Sequence, residues 1–148
     1  MIKMSFTIRP GQGEASDFDL GDIVCEGESG TVGSAGHVPD QGMMIYLSVA
    51  LLLDSLHPLL TGERKTVSFV GTDSSFRLDF RRERRGVVAV AASGTTVGKC
   101  PPEELADAVL RALRELDEQS LSALPAGSGA RSDLFASAER FRAGGPRL

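Results

Sequence analysis

Residues 66–100 read TVSFVGTDSSFRLDFRRERRGVVAVAASGTTVGKC, and this stretch decides the fold. Thr66 to Gly71, Ser75 to Arg82 and Gly86 to Ser93 are three runs rich in β-branched and aromatic residues, separated by turns of a few residues. Connections that short have no room for a crossover helix, so the runs pair antiparallel as a meander. In the middle run Phe76, Leu78 and Phe80 alternate with Arg77, Asp79 and Arg81, which gives the sheet one dry and one wet face. A further strand from Thr96 to Cys100 follows Gly94.

Upstream, Lys3 to Arg9 alternates as a half-buried strand that Pro10-Gly11 ends, and Phe18 to Cys25 reads as a second strand in which Gly21 marks a bulge. Gly27 to Gly42 is either a short glycine-bearing strand around Gly30 to Gly33 or a loop. Asp40 is expected to cap a helix that runs to about Leu56 and is stopped by Pro58 and Gly62. Downstream, Pro101 and Pro102 suit a first helical turn, and Glu103 and Glu104 favour its positive end. Leu105, Val109, Ala112, Leu113 and Leu116 then recur at helical spacing. Pro125 to Arg131 reads as a flexible linker, and Ser132 as the cap of a short helix before a frayed tail from Gly144 to Leu148.

The expected fold class is therefore α+β, an antiparallel sheet made of the N-terminal strand pair and the central meander, with helices packed on one face. Residues 1–124 form its single domain, 125–131 the linker and 132–148 the amphipathic helix and tail. The expected core comprises Phe6 and Ile8; Ile45, Leu47, Val49, Leu52 and Leu56; Val67, Phe69, Phe76, Leu78, Phe80, Val88 and Val90; and Leu105, Val109 and Leu113.

Composition narrows the function. With 148 residues, 41% hydrophobic and 24% charged, the chain has the make-up of one globular domain rather than of a disordered or fibrous protein. A formal charge of −4 argues against coating nucleic acid with the whole surface, which needs a surplus of Lys and Arg. The longest apolar run, Met43 to Leu53, falls well short of the roughly 20 residues that span a bilayer. Two cysteines without a CxxC pair, and a start with no apolar signal core, suggest a cytoplasmic protein without a disulfide framework.

Local chemical motifs fail one after another. Gly11 and Gly13 lack the third glycine and the following helix of a dinucleotide fingerprint, and Gly30 to Gly36 lacks the Lys and Ser/Thr of a phosphate loop. Ser29 is one residue out of register for a nucleophile elbow. His37 and His57 have no partner visible in sequence. Cys100, just before a helix N-terminus, is the most tempting nucleophile, because a helix dipole stabilises a thiolate. The acidic residues Glu14, Asp17, Asp19, Asp22, Glu26 and Glu28 do not follow the order of a calcium loop and read as a solvated strand face. No cofactor or metal is expected.

What remains is charge and an amphipathic helix. Arg77, Arg81, Arg82, Arg84 and Arg85 place five arginines on one hairpin, suited to gripping an acidic surface. Replacing Arg82, Arg84 and Arg85 together is expected to leave stability nearly unchanged. Leu134, Phe135, Ala138 and Phe141 form an apolar stripe on a helix too short to stand alone, and a symmetric homodimer is expected to cover it in preference to docking on the chain's own core. The function expected is a non-catalytic domain that binds a protein partner or its own copy; neutralising a companion toxin is one form this takes. The alternatives are an enzyme or small-ligand domain with a site gathered from distant residues, and nucleic-acid binding through the arginine hairpin.

Overall fold

The computed structural model describes residues 1–144, so the tail expected to fray lies almost wholly outside the described residues. The chain forms two antiparallel sheets and three helices. In the first sheet β1 (Lys3–Ile8) pairs with β2 (Leu20–Gly27). The other side of β2 is shared: its end pairs with β3 (Gly30–Gly33) and its beginning with the two-residue β4 (Met43–Met44). The second sheet is the meander, β5 (Thr66–Val70), β6 (Arg77–Arg82), β7 (Val88–Ala92) and β8 (Thr95–Cys100), in sequential order.

Gly21 marks no bulge. It pairs regularly with Ile8 and Met43, and a Cβ there would collide with the carbonyl oxygen of Thr7 and lie 2.7 Å from Cβ of Ile45. The residue is glycine because the first helix starts against this strand. At Gly27 a Cβ would run into the Val97 carbonyl of β8. There the two sheets touch, and Ser29 N–H donates to Val97 O at 2.9 Å.

Helix α1 (Ile45–Leu60) begins four residues later than expected and continues through Pro58. Its start is set by β4, because Met43 and Met44 are extended and paired with Gly21 and Leu20. Asp40 is not its cap. Its carboxylate accepts from Gly42 N–H and from Arg9, whose guanidinium also grips Asp22 at 2.9 Å. Arg9 holds both carboxyls below their ordinary range. Pro58 is tolerated one turn from the helix end because the N–H it lacks forfeits a single intrahelical bond.

Helix α1 is the centre of the molecule: it touches β1, β2, β4, β5, β6 and both other helices. Leu52, Leu53, Leu56 and Leu59 are all fully buried. Helix α2 (Pro102–Gln119) lies against β1. Helix α3 (Gly129–Gly144) packs along α1. Its N-cap is Ser128 rather than Ser132, since Ser128 Oγ accepts from Arg131 N–H at 3.0 Å. The Ser128 hydroxyl donates in turn to Asp17, whose other oxygen faces Ala130 N–H. The segment expected to be a linker is thus tied to the β1–β2 loop. Of the expected core only Ile8, Leu47 and Val67 are partly rather than fully buried.

Candidate partner-binding surface

The meander buries one face against the helices and leaves the other bare. Its register stacks the outer residues in rows across the strands: Thr66, Arg81, Ala89 and Lys99 in one, Ser68, Asp79, Ala91 and Thr96 in the next, then Val70 beside Arg77. A register shift opposite Val90 and Ala91 makes Val97 the extra residue of β8. That bulge resets the alternation, so Thr96 and Lys99, three residues apart, both reach the outer face. Ala89 and Ala91 on β7 are the smallest side chains there, and between the taller rows they floor a trough of about 410 Å³.

The charges on this face are held in position by one another. Glu83 accepts from Lys99 Nζ at 2.8 Å and from Arg81 Nη2 at 2.7 Å. Lys99 first, and Arg81 with it, keep its carboxyl below the ordinary range. Arg77 donates through Nε to Asp79 at 2.9 Å and through Nη2 to Ser68 Oγ at 3.0 Å. Such surface pairs add little stability. They do hold three cations at the trough in defined directions, two at its Ala89 end and one beyond Asp79.

The five arginines of the hairpin thus separate into three groups. Arg77 and Arg81 stand on the outer face. Arg84 and Arg85 are exposed on the 3-10 turn between β6 and β7. Arg82, by strand alternation, points the other way and donates to the carbonyls of Leu59 at 2.6 Å and Leu60 at 2.8 Å, the end of α1. It is a structural cap and corrects the reading of the run as one exposed patch. Lys99, Ala89 and Ala91 were not singled out by sequence reasoning; alanines alternating opposite a charged strand were the available signal. In the C-terminal stripe, Leu134, Ala138 and Phe141 are buried in the chain's own core. Phe135 is 45% exposed, with the Arg131 guanidinium over its ring.

The other residues of chemical interest have structural partners or are enclosed. Asp17 and Asp22 accept hydrogen bonds from Ser128 and Arg9, and buried Asp19 accepts from Ser16 N–H. These three are ties within the fold and not a solvated face. His37 Nε2 lies 2.7 Å from the Gly33 carbonyl, so that nitrogen carries the proton. His57 Nε2 is enclosed with no hydrogen-bond partner among the described residues. Among those residues no three His, Cys, Asp or Glu stand together as a metal site, and no helix is long and apolar enough to cross a membrane.

Cys100 is the reverse of an activated nucleophile: burial, with Glu104 nearby, pushes its thiol up to about 12, and burial does the same for Cys25. Neither thiol should react with a disulfide reagent at neutral pH in the folded protein, while both should react in urea. Rapid labelling of Cys100 without denaturant would refute the burial argument. The chain matches no family model, no curated protein and no solved structure, so the reading of its surface rests on the chemistry of that surface.

Proposed function

We propose that the chain is a non-catalytic interaction domain that binds an acidic surface of a protein partner through the outer face of β5–β8. The observation that carries this reading is the bare, alanine-floored trough lined by Asp79 and Arg81, with Lys99 beside Ala89 in the next strand and Arg77 bonded to Asp79 and Ser68 of its wall. On a chain with net charge −4, Arg77, Arg81 and Lys99 outnumber the carboxylates paired with them, Asp79 and Glu83, and a local excess of positive charge selects a complementary patch and speeds encounter with it. Alanines at the centre let a partner's backbone approach closely while longer side chains reach the flanks. Among the described residues the face carries no aromatic side chain, which favours a protein over single-stranded nucleic acid, whose bases stack on aromatic rings. Two free, buried thiols suit a reducing, cytoplasmic setting.

Photo-crosslinking tests the reading. A benzophenone amino acid placed at Ala91 should trap a discrete protein partner in the native host, and the same group at Glu115 on α2 should not. With that partner purified, reversing Arg77, Arg81 and Lys99 to Glu together should weaken binding by at least about tenfold. The variant should still unfold in one cooperative transition because the replaced side chains are exposed, at a somewhat lower temperature because the new carboxylates lie beside Asp79 and Glu83. An unchanged dissociation constant in the reversed variant would eliminate the trough as the interface.

A further inference from the structure

A second concavity, of about 280 Å³, lies between the loop after β3 and the β7–β8 turn, and one of its lining residues, Arg77, bonds Asp79 and Ser68 of the trough's wall. Its floor is apolar, with Phe76 and Ala92. Its walls are polar: His37, Gln41, Ser75, Arg77, Ser93 and Thr95. Asp and Glu make up 20 of the 148 residues, and the trough and three other concavities carry Asp79, Asp117, Glu103 or Asp54 in their walls. This cleft has no carboxylate among its lining residues.

What lines it can donate. The Gln41 amide has two N–H groups, Ser75, Ser93 and Thr95 each have a hydroxyl, and Arg77 spends Nε and Nη2 on Asp79 and Ser68 while Nη1 is left over. His37 in its neutral form commits its one proton to Gly33 O, so it serves as a wall and not as a donor. The loop that carries His37 and Gln41 is fastened at its base. Arg9 joins Asp40 to Asp22, Ser74 Oγ donates to Gln41 O at 2.6 Å, and a Cβ on Gly42 would meet Arg9 Cζ at 2.5 Å. A loop backbone already held in place avoids part of the ordering cost of binding.

We propose that this cleft is a carboxylate subsite. The proposal rests on the protein-binding reading for the source of the group: an Asp or Glu side chain of the partner lying in the trough reaches past Arg77 into the cleft. A free organic acid offers the same chemistry. Amide-resolved NMR of the full chain, at constant ionic strength with chloride as the control, separates the two sources. The probes are succinate and N-acetyl-glutamyl-glutamyl amide.

Saturable shifts are expected at His37, Gln41, Ser75, Arg77 and Thr95 with a dissociation constant of about a millimolar. Thr95→Val and Arg77→Gln should each weaken binding about fivefold to tenfold. Both side chains are exposed, and preserved amide dispersion in the variants shows that they fold. Tighter binding of the dipeptide assigns the subsite to a partner's side chain, and tighter binding of succinate assigns it to a free acid. The proposal is overturned if neither probe saturates by about 100 mM, or if the shifts persist in the double variant. A silent cleft with intact crosslinking from position 91 sinks the subsite alone, whereas binding in the cleft without crosslinking sinks the trough reading and leaves the subsite.

Discussion

Leu78→Ala is expected to lower the free energy of unfolding by about 2–5 kcal/mol. Leu78, the second residue of β6, is fully buried opposite Phe69 on β5, on the face that meets α1. Truncation removes apolar atoms from a site walled by a sheet on one side and a helix on the other. Neither wall is free to collapse, so the cavity remains and adds to the lost transfer energy. A domain of this size is stable by about 5–15 kcal/mol in all, so a single residue accounts for a large share. Reversible urea denaturation would show a lower midpoint with an unchanged slope. A loss under about 1 kcal/mol would mean that the inward face of the meander has been misassigned.

Arg82→Ala should cost about 2–3 kcal/mol, whereas Arg84→Ala and Arg85→Ala should each stay within about 0.5 kcal/mol. The last carbonyls of a helix have no partner inside it, and Arg82 answers those of Leu59 and Leu60 from a neighbouring strand. A cation at that end also complements the helix dipole. Alanine leaves two half-buried carbonyls without their charged donor, while Arg84 and Arg85 lie exposed on the turn. Denaturation of the three single variants side by side is the measurement. Equal and small effects at all three positions would show that the bonds from Arg82 contribute nothing net.

These two variants also mark how far the sequence could be read. The meander was legible because its period-two alternation is local: Phe76, Leu78 and Phe80 all lie inward, as the pattern requires. The direction of Arg82 follows from the same alternation, but its partner is a helix end more than 20 residues away that no local pattern connects to it. Asp40 had every local attribute of a helix cap and lost that role to a tertiary pair with Arg9. Ser128 sat in a stretch whose small residues suggested flexibility, and it is fixed by Asp17, 111 positions earlier. As for the candidate surface, Arg77 and Arg81 could be found from charge alone. Lys99 could not, because its place on the outer face depends on a bulge.

The docking of α3 on α1 has a consequence for how the chain is made. On the ribosome everything that α3 will cover is synthesised well before α3 itself, and chains begin to fold as they emerge. Until the segment from Gly129 onward leaves the exit tunnel, the flank of α1 beside Leu53 and the end of α2 beside Leu113 and Leu121 have no cover. The Asp17 carboxylate has no Ser128 to receive. A nascent chain interrupted before this point therefore exposes a continuous apolar groove, the kind of surface that chaperones and proteases recognise. Loss of α3 would thus leave that groove bare and mark the chain for clearance, which couples the abundance of the protein to the docking of this helix.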